Sequence, residues 1–221
     1  MNEIRLDGKS VPFRVGQTIM ECALEAGIHI PHLCHLPGFP PHGSCKLCTV
    51  KSDGRFVSAC TQPAGAGLNV ENDTEELGQL RLSLLRMLFV EGNHYCPSCE
   101  KSGSCRLQDA AYHEGMLDLH FRPFYPKREL DASHPEILID RDRCIFCELC
   151  VRASRDVDGK NVFGISGRGL KTHLVVNSGS GLLADTAISV KDRAVEVCPV
   201  GAILIKGHGF EIPIGERLYD V

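Results

Sequence analysis

Hydrophobic and polar residues alternate through "EIRLDGKSVPFRV" near the start of the chain, on either side of Asp7-Gly8. A period of two broken by a D-G pair predicts a β-hairpin. The period then changes in "GQTIMECALEAG". There Ile19, Met20 and Ala23 share one helix face, Thr18 is placed to cap the helix and Gly27 to end it. A hairpin followed by a helix is the opening of a β-grasp fold. Helical spacing returns in "DTEELGQLRLSLLRMLFVEG". Asp73 and Glu76 are spaced as a capping box, and Leu77, Leu80, Leu84, Leu85 and Leu88 lie along one face. "YHEGMLDLHFRPFYPKRELDASHP", with three prolines, reads as a connector. Beyond it, "EILID" and "HLVVN" read as short strands, and an apolar run after Cys198 leads into a short polar tail. The fold class is α+β, in three parts: a β-grasp domain over 1–72, a small helical segment over 73–118, and a connector, ferredoxin-like domain and C-terminal tail over 119–221.

Composition narrows the picture. Of the 221 residues, 43% are hydrophobic, as in soluble globular proteins. The longest strongly apolar stretch, "LLRMLFV", is broken by Arg86 and is too short for a transmembrane segment. The start "MNEIRLDGKS" lacks the apolar core of a secretion signal, so a cytoplasmic location is expected. A net charge of −4 gives no reason to expect nucleic acid or an anionic membrane as partner. Twelve cysteines change the picture more than any of this. In a reducing compartment they are not expected to be disulfides, and cysteines grouped this regularly bind metal. The chain has no Trp, and metal groups can supply cross-links that a core poor in large aromatics lacks.

The cysteines fall into three groups. Cys34, Cys45, Cys48 and Cys60, spaced C-x10-C-x2-C-x11-C, suit a 2Fe–2S cluster with two thiolates per iron. Small residues before the close pair, in "PHGSCKLC", let backbone N–H groups approach the sulfurs. A Rieske centre needs interleaved Cys and His pairs that His29, His32, His35 and His42 do not supply. A structural zinc site is the competing reading. In the second group, "NHYCPSCEKSGSC", Cys96, Cys99 and Cys105 leave one iron of a 4Fe–4S cubane without a thiolate. His94 is the nearest candidate to fill that position, and a neutral imidazole there raises the potential. The rival role for His94 is to cap the end of the preceding helix. The third group is "RDRCIFCELCVRAS" with the remote "CPV". Cys144, Cys147, Cys150 and Cys198 can hold a second 4Fe–4S cluster, the Cys-Pro completing a run begun by C-x2-C-x2-C. Ser154 stands where a two-cluster ferredoxin has the cysteine serving its other cubane, so that cubane is expected to be absent. Cys22 is left over, and reads as a small buried hydrophobe. "NSGSGLLAD" outlines a dinucleotide fingerprint, but a Rossmann unit needs a βαβ segment and a second half-domain, and the 47 residues between Cys150 and Cys198 must also fold around a cluster. No phosphate-binding loop, nucleophile elbow or nickel-ligand set is evident, so no FMN, NAD or nickel is expected on this chain, and no catalytic residue.

Three motifs in this order, "C…CKLC…C", "HYCPSCEKSGSC" and "CIFCELC…CP", resemble the small diaphorase iron–sulfur subunit of bidirectional NAD-reducing nickel–iron hydrogenases. They are also similar to the N-terminal region of the complex I large iron–sulfur subunit and to the matching region of iron-only hydrogenases. Ser154 and the chain's end after the last motif separate it from the two larger relatives. Complex I subunits typically read H-x3-C-x2-C-x5-C, whereas this chain reads H-x-C-x2-C-x5-C. The resemblance implies an electron-transfer subunit of an oxidoreductase complex. Its partners would be a flavin- and NAD-binding diaphorase subunit and the small and large hydrogenase subunits. The alternatives are a complex I-like or formate dehydrogenase-linked electron carrier and, from another class, a zinc-stabilised assembly scaffold.

Overall fold

Asp7 and Gly8 take left-handed φ values of 48° and 80°, as a two-residue hairpin turn requires. The strands they join, β1 (Glu3–Leu6) and β2 (Lys9–Pro12), pair antiparallel with Leu6 opposite Lys9. The computed structural model describes residues 2–220, which fall into two compact units meeting in sequence at Leu85 and Arg86.

In the first unit, α1 (Ile19–Glu25) is fixed at both ends. The Thr18 hydroxyl accepts from the Glu21 N–H at 3.2 Å, and the Glu21 carboxylate accepts from the Thr18 N–H at 2.7 Å. Gly27, at φ 69°, donates to the Leu24 carbonyl while Ile28 donates to that of Ala23. This pair of hydrogen bonds closes the helix, and it needs a left-handed conformation that glycine adopts without a steric cost. A second hairpin, β3 (Thr49–Ser52) and β4 (Arg55–Ser58), turns at Asp53-Gly54. The short β5 (Asn69–Glu71) pairs parallel with β1 and antiparallel with β3, giving the order β2-β1-β5-β3-β4. This is the β-grasp arrangement that the opening hairpin and helix imply. Ile4, Leu6, Ile19, Met20, Val50 and Val70 form its core, and Cys48 and Cys60 belong to the same cluster.

Helix α2 (Glu75–Glu91) is longer than most and is capped differently from the expectation. The Thr74 hydroxyl, not Asp73, accepts from a first-turn amide, that of Leu77 at 3.3 Å. Asp73 instead donates its own N–H to the Asp7 carboxylate, and Glu76 pairs with Lys51. Of the five leucines expected on one face, Leu77 and Leu85 are fully buried. The residue between them at the same spacing is Arg81, also buried, which donates to the carbonyls of Asn72 and Thr49 and to the Asn72 side chain. A buried charge persists because carbonyl oxygens surround it.

The second unit contains α3 (Arg106–His113), α4 (Leu149–Asp156) and the short α5 (Arg193–Glu196). "EILID" forms β7 (Ile137–Asp140), flanked by β6 (Leu130–Asp131) and β10 (Ile203–Ile205) in an antiparallel sheet ordered β10-β7-β6. The apolar run after Cys198 is therefore a strand, and the connector contributes the edge strand β6. "HLVV" forms β9 (His173–Val176), paired with β8 (Phe163–Ser166). The glycine-bearing "NSGSGLLAD" continues into a 3₁₀ turn at Leu183–Asp185. Among the described residues no helix is long and apolar enough to cross a membrane.

Candidate metal centres

The first cysteine group lies on the loops between α1 and β3 and just after β4. Lys46, at φ 57°, is left-handed between Cys45 and Cys48. The Cys48 and Cys60 sulfurs stand 3.4 Å apart, as free thiols. A tetrahedral metal with ~2.3 Å bonds holds two of its sulfurs ~3.8 Å apart, so this pair fits one iron. On the other side, Cys45 donates its N–H to the Cys34 sulfur at 3.5 Å. The four thiols hydrogen-bond to one another. Hydrogen bonds from the Cys45 and Cys60 thiols hold the Cys34 sulfur well below the usual thiol range, and both donors are pushed up in return. A bond from Cys60 lowers Cys48 to about 7. His29, His32 and His35 contact one another edge to edge or tilted, with centroids 5.5 to 6.3 Å apart. Cys22 is fully buried in α1, its sulfur 3.0 Å from the Thr18 carbonyl, and burial pushes its thiol up.

In the second unit His94, Cys96, Cys99 and Cys105 line one cavity. Cys96 opens a 3₁₀ turn whose first residues are Cys-Pro, and Cys105 immediately precedes α3. Burial pushes the Cys105 thiol up to about 12, against the opposing pull of the Gln108 and Leu107 amides. Burial, reinforced by the positive charges of Arg143 and Arg128, holds the His94 imidazole down to about 4, so it is neutral near pH 7. A hydrogen bond to the Leu88 carbonyl, in the last turn of α2, acts the other way. His94 Nε2 is buried without any hydrogen-bond partner. The two roles considered for His94 thus use different nitrogens: one closes the helix, and the other keeps a lone pair for a metal.

Cys144, Cys147, Cys150 and Cys198 line a second cavity. Apart from Glu148, its other walls are apolar, among them Ile145, Ile165, Leu174 and Val200. Phe146 and Glu148 are left-handed, at φ 54° and 57°, so the chain reverses on either side of Cys147. Non-glycine residues adopt this conformation at a cost of about 1 kcal/mol or more each, and such strain gathers at functional sites. Burial pushes Cys144 up to about 12 and Cys150 well above the ordinary thiol range. Ser154 lines neither cavity. It is 1% exposed, and its hydroxyl accepts from the Val162 N–H at 2.7 Å. We expect Ser154→Ala to destabilise the unit by about 1–3 kcal/mol, because a buried amide loses its acceptor. Ser154→Cys is expected to leave iron per chain unchanged; thermal unfolding with iron analysis reads both effects.

Among the described residues, no three His, Cys, Asp or Glu side chains close on one point as the ligands of a single ion do. In both cavities the donors stand around a space, which suits a group that brings its own sulfide. The soft donor set, thiolates with one imidazole, favours iron–sulfur over hard cations. Arg143 and Gly201, which line the first cavity, and Gly92, which abuts His94, carry no sequence motif. The only signal for two of them is proximity to Cys144 and Cys198 along the chain.

Comparison with known families agrees with this geometry. Residues 1–75 match the 2Fe-2S iron-sulfur cluster binding domain. Residues 81–120 match the NADH-ubiquinone oxidoreductase-G iron-sulfur binding region, and residues 137–205 the 4Fe-4S single cluster domain. The fold and these matches define an iron–sulfur electron-transfer protein. The gamma subunit of the NAD-reducing hydrogenase HoxS from Cupriavidus necator is 42% identical over 222 residues, covering 99% of this chain and 93% of that one. A solved chain of an NAD+-reducing [NiFe]-hydrogenase in the H2-reduced state superposes with a TM-score of 0.95 at 52% identity, covering 99% of this chain and 93% of that chain. The mitochondrial 78 kDa subunit of NADH-ubiquinone oxidoreductase from Candida albicans is 29% identical over 212 residues, which span 94% of this chain and 29% of that longer protein. The chain belongs to the family of NAD-reducing hydrogenase gamma subunits.

Proposed function

We propose that this chain is the electron relay of a cytoplasmic NAD-reducing hydrogenase, carrying electrons between a nickel–iron module and a flavin- and NAD-binding diaphorase subunit. The observation that carries the reading is the pair of four-donor cavities in one unit, each drawn from a single contiguous motif or a motif plus a remote Cys-Pro. In this reading Cys34, Cys45, Cys48 and Cys60 hold a 2Fe–2S cluster. His94, Cys96, Cys99 and Cys105 hold one 4Fe–4S cluster, and Cys144, Cys147, Cys150 and Cys198 hold another. Residues 1–72, 73–118 and 119–221 are then the three parts that each serve one site. Such clusters take up and give back single electrons without a proton or a new bond. The chain's residues fix where those electrons reside. The thiolates and the His94 nitrogen anchor each site, the apolar walls around Cys144, Cys147 and Cys150 exclude water, and backbone amides near the sulfurs set the affinity for the added charge. Hydride chemistry at NAD and H2 chemistry at nickel belong to the partners, the diaphorase subunit and the small and large hydrogenase subunits; no FMN, NAD or nickel is assigned to this chain.

Anaerobic purification of the complex tests this. The expected chain is brown, with about ten irons and matching acid-labile sulfide, and it co-purifies with nickel and H2-dependent NAD+ reduction. A colourless, folded chain holding zinc in place of iron and sulfide overturns the relay. Molybdenum or quinone reductase activity instead of nickel reassigns it to a formate- or complex I-type assembly.

A further inference from the structure

Arg143 joins the two cavities of the second unit. Its backbone leads directly into Cys144, which lines one cavity, while its guanidinium lines the other, beside His94 and Cys99. The side chain is only 19% exposed and is held from three directions. Nη1 lies 2.7 Å from Glu100 Oε2, Nε lies 2.7 Å from Asp140 Oδ2, and Nη1 also stands 3.5 Å from the Cys99 sulfur. Two carboxylates already satisfy the charge of this arginine, so the sulfur contact is additional to what an ion-pair anchor needs. Gly201 keeps that contact open. A Cβ there would come within 2.8 Å of the Cys99 sulfur and 3.3 Å of Arg143 Nη1.

We propose that Arg143 is a positioning residue for the metal group of His94, Cys96, Cys99 and Cys105, and that its guanidinium, donating to the Cys99 sulfur, makes that site easier to reduce. The inference rests on the cluster reading of the site given above. Reduction adds one electron; no bond forms or breaks and no proton moves. The added charge spreads onto the ligand sulfurs, where a fixed N–H donor and a positive charge stabilise it. The guanidinium stays charged at any accessible pH and is partly withdrawn from water, so salt screens it weakly. Its effect runs in the same direction as replacing one thiolate by the neutral His94. Glu100 works against it. That carboxylate follows Cys99 in the chain and shares Nη1 with the sulfur. Arginine and glutamate together therefore set the site's potential, and the all-cysteine site beyond Cys144 is affected less.

An EPR-monitored redox titration of the intact complex tests this, with iron and sulfide measured on the same samples. At the potential where the wild-type site is half reduced, Arg143→Gln is expected to lower its reduced-to-oxidised ratio about tenfold, a midpoint shift of about 59 mV downward. Arg143→Lys keeps the charge and recovers most of the shift. Glu100→Gln moves the ratio upward. The signal from the Cys144, Cys147, Cys150 and Cys198 site moves less in every variant. A full iron content with an unmoved midpoint in Arg143→Gln overturns the proposal, as does an equal shift in the Gln and Lys variants, which would reduce Arg143 to packing. Should Arg143→Gln lose the site's iron, Glu100→Gln decides: an upward shift supports the role and an unchanged midpoint refutes it. Absence of the signal and its iron from the wild-type complex is a separate result, and it refutes the cluster reading instead.

Discussion

Gly92→Ala is expected to strip the chain of the metal group at His94, Cys96, Cys99 and Cys105 while leaving the other two sites filled. A Cβ on residue 92 would sit 2.3 Å from His94 Nε2 and 2.7 Å from its neighbouring ring carbon, well inside contact distance. Retreat of the backbone is blocked on the far side, where the Asp142 carbonyl is 3.1 Å from the same Cβ and accepts from the Asn93 N–H at 2.8 Å. The imidazole has to shift, and the shift displaces Nε2 from the position it holds beside Gly92. Backbone entropy makes the opposite forecast. Gly92 follows the last residue of α2 without a left-handed φ, and alanine at such a position stiffens the unfolded chain, favouring the fold by about 0.4–1 kcal/mol. The two effects can thus be separated. Thermal stability of the metal-free chain should hold or rise, whereas the loaded complex should lose about four irons per chain and one EPR signal. His94→Ala should give the same spectrum. A Gly92→Ala complex with its full iron and an unaltered spectrum would show that Nε2 is not a ligand.

Much of this molecule is legible in its sequence because its strongest signals are local. The Asp7-Gly8 hairpin and the helix from Thr18 to Gly27 need only neighbouring residues, and the structure forms both with the expected turn and caps. The cysteine groups are legible for a similar reason: spacing limits which thiols can meet. What escaped depends on partners distant in sequence. Asp73 and Thr74 are both acceptable caps, and the choice falls to Thr74, with the Asp73 backbone N–H held by the Asp7 carboxylate over sixty residues away. Arg81 breaks the leucine face of α2 because the Thr49 and Asn72 carbonyls await it inside. The strands β8 and β10 are short, and only their partners β9 and β7 make them strands. Ser154 shows a visible substitution whose structural use was not visible: its hydroxyl serves the Val162 amide. Left-handed Phe146 and Glu148 carry no local signature, since glycine is the usual marker for that conformation. Arg143 looks like one more surface charge until the fold sets Cys99 and Gly201 against it.

Cys147→Ser should abolish H2-dependent NAD+ reduction by the complex while sparing NADH oxidation by artificial dyes. Cys147 sits at the most constrained point of its cavity, between two left-handed residues and only 7% exposed. Serine has nearly the same shape, so the turn should persist, but its oxygen is a harder and shorter donor than a thiolate and does not ionise at neutral pH. Most of the remaining walls, among them Ile145, Leu174 and Val200, are apolar, and the Glu148 carboxylate that also lines the cavity is a harder donor than the lost thiolate. A relay fails when one of its sites fails, since tunnelling has to span the gap; loss of even an outer partner of a metal ligand typically costs 10–100-fold. The H2-driven rate is therefore expected to fall by more than about a hundredfold. Dye reduction by NADH needs only the flavin subunit and bypasses this chain. The contrast between the two assays separates relay from scaffold. A scaffold role predicts that both activities fall together as the complex comes apart, and a branch site off the main route predicts that both survive. Only a site on the electron path, in a complex shown by size-exclusion chromatography to be intact, loses the first and keeps the second.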